Sequence, residues 1–136
     1  MSNITGLDHI AIATDNLEES LNFFKKNLGL SCQKIETLEK RGIKVAFLPV
    51  GSTKIELIEP LHNKSEISIF LKKRGPGLHH IALNTTDLEA NLEQLKNKNV
   101  QLVDQNSTSG ANNTQIGFVH PKSTKGVLVE LVEKKL

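Results

Sequence analysis

Gly6-Leu7-Asp8-His9-Ile10-Ala11-Ile12 recurs in this chain as Gly77-Leu78-His79-His80-Ile81-Ala82-Leu83. The match continues at the same offset through Thr14, Leu17, Glu18 and Leu21, which return as Thr85, Leu88, Glu89 and Leu92. Nine of the sixteen aligned positions in this stretch are identical, too many for chance in a mixed composition, so the chain reads as a duplicated unit. The far ends of the two copies also agree. Ile55-Glu56-Leu57-Ile58-Glu59 answers Val129-Glu130-Leu131-Val132-Glu133, now with the offset larger by three residues. The polar stretch from Asn106 to Asn113 is the expected place of that insertion.

Between these landmarks the two copies carry the same signals. Asp15 with Glu18, and Thr86 with Glu89, read as capping boxes opening a helix. Leu17, Leu21, Phe24 and Leu28, and then Leu88, Leu92 and Leu95, give each helix one apolar stripe. Gly29 stops the first helix, and strands are expected at Ser31 to Thr37, Ile43 to Pro49 and Thr53 to Glu59, with turns at Gly42 and Gly51. In the second copy strands are expected near Gln101 to Val103, Ile116 to His120 and Gly126 to Glu133. Each copy is therefore βαβββ, over about 4–60 and 77–134, with a short helix from about Ser65 to Lys73 between them. The fold class is α+β in a single domain, 1–136. Two such modules related by a pseudo-twofold axis would curl one mixed sheet into a cup with a pocket.

Composition narrows the function classes. The chain has 136 residues, with 17 basic and 15 acidic side chains interspersed for a net charge of +2, and no tryptophan or tyrosine. That gives no electrostatic or stacking case for nucleic acid, and the run Lys72-Lys73-Arg74 is short enough to be a solvated helix end. No apolar run approaches the roughly 20 residues that span a bilayer, so no membrane partner is expected. The lone cysteine, Cys32, excludes an intrachain disulfide and reads as a small buried hydrophobe rather than a nucleophile. With no secretory signal in MSNITGLDHI, a cytoplasmic location is expected.

Side chains alternate faces along a strand, so His9 shares a face with Leu7, Ala11 and Ala13, and His80 with Leu78, Ala82 and Asn84. The repeat aligns His9 with His80 and Asp8 with His79, which turns His79 the other way. Glu130, in the middle of GVLVELV, and Glu56, flanked by Ile55 and Leu57, are carboxylates where burial is expected. Burying either unpaired costs several kcal/mol, so each requires a partner. A lone strand histidine is usually a satisfied core or surface residue, and a strand glutamate usually faces water. Both types recur at equivalent places in both copies, which favours ligation of one divalent metal by His9, Glu56, His80 and Glu130. Imidazole and carboxylate suit Co, Ni, Mn or Zn. Glu59 and Glu133 also repeat but lie at strand ends and read as solvated; His62 and His120 read as non-ligands.

LDHIAIATDNLEESLNFF (7–24), TKIELIEPL (53–61), GLHHIAL (77–83) and FVHPKSTKGVLVEL (118–131) together resemble the methylmalonyl-CoA epimerase family of the vicinal-oxygen-chelate superfamily, over nearly the whole chain. The resemblance implies an isomerase that interconverts the 2R and 2S epimers of a CoA thioester, a metal cofactor with cobalt foremost, and a homodimer. It implies an α-proton moved by a base on each face, with Glu130 the first candidate. Some members use a further glutamate where this chain reads Gly42-Ile43-Lys44-Val45-Ala46-Phe47. No carboxylate stands there, which leaves the second base between Glu56 and Lys44. Lys122 and Lys125 are candidates for CoA phosphates, with plain solvation the competing reading. A glyoxalase I-like lyase would share the four ligands but need a glutathione pocket, of which the sequence bears no mark. An extradiol dioxygenase would use two histidines and one carboxylate, so Glu56 argues against it. A metal-free small-molecule-binding module is the non-enzyme alternative.

Overall fold

Thr14 decides where the first helix starts. In the computed structural model, which describes residues 3–135, the Thr14 hydroxyl accepts the amide of Asn16 at 3.1 Å. Asn16 is therefore the cap, and its side chain accepts the Glu19 amide at 3.1 Å. The second copy repeats the device, Thr85 holding the Asp87 amide and Asp87 capping Ala90. The expected caps at Asp15 and Thr86 are one residue early. The cap amide that a capping-box glutamate would take is already held by a threonine.

The described chain divides into two compact units, His9–His79 and the remainder, which takes in residues up to Asp8 and from His80 onward. Elements run β1 (Ile4–Ala13), α1 (Leu17–Asn22), β2 (Lys34–Leu38), β3 (Ile43–Val50), β4 (Thr53–Pro60) and α2 (Glu66–Arg74). They continue as β5 (Gly77–Thr85), α3 (Leu88–Asn97), β6 (Thr108–Gly110), β7 (Thr114–Val119), α4 (Pro121–Thr124) and β8 (Val129–Lys134).

In the His9–His79 unit the strand order is β2-β3-β4-β1, with β1 parallel to β4 and the other neighbours antiparallel. One sheet face packs on α1, burying Leu17, Ala46, Leu48 and Leu57 with Leu21, Phe24 and Leu30 around them. The helix does not keep its expected stripe. After Asn22 it widens into a π turn, Phe23–Asn27, in which Leu28 bonds back to Phe23. That extra residue per turn leaves Leu28 exposed and lets Leu30 take the core position.

In the other unit the order is β5-β8-β7-β6, again with one parallel pair, β5 with β8. Here α3 covers one face through Leu88 and Leu92, packed with Leu102, Val119 and Leu131. The opposite face carries Ala82, Ile116 and Val132 with Phe118. Two expectations fail in this unit. Gln101 to Val103 is no strand, since only Leu102 makes an isolated bridge, to Val119. The strand lies instead at Thr108–Gly110, inside the stretch read as an insertion, and its hairpin turns through Asn112 and Asn113, both at φ 56°. Asparagine tolerates that left-handed backbone, so a polar run can hold a tight turn.

The three extra residues are elsewhere. Phe47 lies opposite Glu56 on the neighbouring strand, and Phe118 lies opposite Glu130. Nine residues separate the first pair in sequence and twelve the second, while Phe47 and Phe118 still keep the offset of the opening strands. The insertion is therefore α4 and its flanks, where the first copy has the two-residue turn Gly51-Ser52.

Candidate metal centre

Each copy brings one histidine and one glutamate together in the same way. Glu56 sits on β4 with Ala11 of β1 on one side and Phe47 of β3 on the other. Glu130 sits on β8 between Ala82 of β5 and Phe118 of β7. A small alanine beside each carboxylate leaves lateral room, and the histidine two residues earlier on the same face can reach it. His9 Nδ1 lies 3.1 Å from Glu56 Oε2, and His80 Nε2 lies 2.8 Å from Glu130 Oε1. All four residues are buried, none above 7% exposed. The Phe118 ring meets the His80 ring edge-on at 5.5 Å.

The neighbouring histidine has a different environment. His79 packs edge-on against Phe70 of α2, with ring centroids 4.8 Å apart. Asp8, beside His9, is buried as well, a polar group that sequence reasoning passed over.

Lys44 does not belong with Glu56. It pairs with Glu59 on β4, three residues along from the Phe47–Glu56 pair and so of opposite parity, which turns it to the α1 side of the sheet. There it lines a cleft of about 400 Å³ with Asn16, Leu21, Lys25, Ile35 and Glu59. Lys122 and Lys125 are exposed, on and just after α4, and the Lys122 amide donates to His120 Nδ1 at 3.0 Å. Glu59 and Glu133 are not merely solvated. Glu59 Oε1 accepts the Leu17 amide at 2.9 Å, and Glu133 Oε1 the Leu88 amide at 2.6 Å.

In each copy, a buried imidazole against a buried carboxylate offers nitrogen and oxygen donors of the kind that suit a first-row divalent ion. Buried charge of this kind needs compensation, which a cation provides.

The family model for the glyoxalase, bleomycin resistance protein and dioxygenase superfamily matches residues 8–118. The chain belongs to that superfamily. An uncharacterised Bacillus subtilis protein, YqjC, is 45% identical over 95% of this chain and 92% of its own. The mitochondrial methylmalonyl-CoA epimerase of Dictyostelium discoideum is 40% identical over 94% of this chain and 78% of its own. A solved methylmalonyl-CoA epimerase in complex with methylmalonyl-CoA and ammonium superposes with a TM-score of 0.92 at 32% identity, covering 96% of this chain and 95% of that one. The glyoxalase fold and an isomerase of the racemase and epimerase class follow from these likenesses. The equivalence of the His9–Glu56 and His80–Glu130 pairs follows the internal repeat of this chain.

Proposed function

We propose that this chain interconverts the 2R and 2S epimers of methylmalonyl-CoA, using one divalent metal held by His9, Glu56, His80 and Glu130. The observation that carries the proposal is the pair of equivalent, buried His–Glu contacts in a chain whose relatives include methylmalonyl-CoA epimerases. The proton to be moved lies between a thioester and a carboxylate. When bound, the ion supplies positive charge against the negative charge that develops on those groups.

The residues supply the remainder. His9 and His80, buried imidazoles, hold position through their glutamates. Glu130 is the base on one side of the substrate, within reach of a histidine that can steady its charge. Return of a proton on the other side needs a second carrier, for which Lys44 is on the wrong sheet face. Cobalt is the metal proposed, with nickel, manganese and zinc as the competitors. A cytoplasmic homodimer is the setting proposed.

The deciding experiment is α-proton exchange of methylmalonyl-CoA in deuterated water, with metal-stripped protein and with cobalt, nickel, manganese or zinc restored. Metal-dependent exchange with inversion is the expected result. Absence of exchange with every metal, or equal exchange in stripped protein, sinks the reading. Lactoylglutathione formation from methylglyoxal and glutathione would transfer the chain to the lyase alternative.

A further inference from the structure

We propose that Glu36, on β2, is the second proton carrier of this site, an inference that rests on the epimerase reading above. Register places it. Glu36 lies opposite Val45 of β3, and Val45 lies opposite Ile58 of β4, which shares its sheet face with Glu56. The same face presents His9, Ala11 and Ala13 from β1. Glu36 therefore looks out from the face that bears the His9–Glu56 pair, two strands across and two residues along from Glu56, about 12 Å by ordinary strand spacing and rise. That separation leaves space for a substrate carbon between them. The β3 strand itself offers no carboxylate on this face, only Ile43, Val45, Phe47 and Pro49.

The state of the carboxylate is the second observation. Glu36 Oε1 is shielded from solvent and accepts no hydrogen bond among the described residues. Its one ionic neighbour there is Lys34 Nζ at 3.3 Å, on the same strand and face, with the ammonium also 5.6 Å from the Phe47 ring centre. The Lys34 ammonium is the charge partner of that shielded oxygen, while the rest of the Glu36 side chain stays partly open to solvent. Glu56, the other candidate, is already committed to His9 at 3.1 Å.

The step balances simply. A Glu36 oxygen takes the proton from C2 of the substrate, and the C–H electron pair passes into the enolate of the thioester. A proton then reaches C2 from the opposite side, and Glu36 gives up its proton to solvent.

Glu36→Gln tests this, assayed with each pure epimer in deuterated water alongside metal stoichiometry and melting temperature. The wild-type chain is expected to exchange and invert both epimers. E36Q should lose inversion and slow the α-proton exchange of one epimer by about 10²–10⁴-fold, while the other still exchanges without inverting. Metal content and melting temperature should stay at wild-type values. Equal exchange of both epimers in E36Q overturns the assignment, as does activity lost together with metal. Should E36Q not fold, Glu36→Asp is expected to slow exchange of that same epimer alone; slowing of both, or of neither, overturns it. A wild-type chain that exchanges neither epimer fails at the epimerase reading itself and takes Glu36 with it. Normal wild-type turnover with a fully active E36Q removes Glu36 only.

Discussion

Glu133 Oε1 accepts the backbone amide of Leu88 at 2.6 Å, joining the end of β8 to the first turn of α3 across 45 residues of chain. Glu59 does the same for Leu17 at 2.9 Å, across 42 residues. Each carboxylate satisfies a helix-start amide that has no partner within its helix, and each sits where the helix dipole favours negative charge. The repeated glutamates at the strand ends thus tie helix to sheet in both copies.

Removing these ties should destabilise the fold and spare the chemistry. Glu59→Ala and Glu133→Ala are each expected to cost about 1–2 kcal/mol, the range of a lost helix cap. The two losses should be nearly additive, since the pairs share no residue. Urea denaturation of both single variants and the double variant checks this. Unchanged midpoints would mean that water replaces the carboxylates without penalty.

The adjacent histidines should separate cleanly. His80→Ala is expected to lose bound metal and turnover, because it leaves the buried Glu130 carboxylate without its imidazole. His79→Ala should keep both and lose only its packing on Phe70. Metal analysis of the two purified variants decides, and the reverse pattern would show that the repeat register misassigns the ligand.

Glu130→Gln keeps the shape of the side chain and removes its charge and its capacity to take a proton. Turnover is expected to fall by about 10²–10⁴-fold, with weakened metal retention. Glu133→Gln should leave the rate near wild type and show its effect in thermal stability. Equal, near-native rates in the two variants would exclude Glu130 from the site.

Gly42→Ala should be poorly tolerated for two separate reasons. Gly42 sits at φ 67°, a left-handed backbone that a side chain resists, and an added Cβ would lie 2.6 Å from His62 Nε2. A loss of at least about 1 kcal/mol is expected. A chain of wild-type melting temperature would show that the His62 ring swings aside freely.

Local signals were reliable where the physics is local. Thr14 and Thr85 move both helix caps by one residue, yet each helix starts on the leucine that opens its stripe, Leu17 and Leu88. The π turn at Phe23–Asn27 was not legible, because Leu28 satisfies the helical spacing in sequence and only the packing of Leu30 removes it. The polar run from Asn106 to Asn113 looked like an insertion because its strand is three residues long and its turn is made of asparagines.

What the sequence determined by itself is the duplication and, through it, the equivalence of His9 with His80 and of Glu56 with Glu130. Strand alternation has a period of two, which is enough to tell His80 from His79 and Glu130 from Glu133. The tertiary structure decided what depends on which strand lies beside which, and in what register. It set Lys44 against Glu59 on the helix side, Glu36 beyond Val45 on the face of Glu56, and the carboxylates of Glu59 and Glu133 on helix amides more than forty residues away. Alternation assigns a residue to one of two faces, but a strand read alone carries no mark of its neighbours. Those pairings form only when distant segments meet and the whole sheet closes its hydrogen bonds at once.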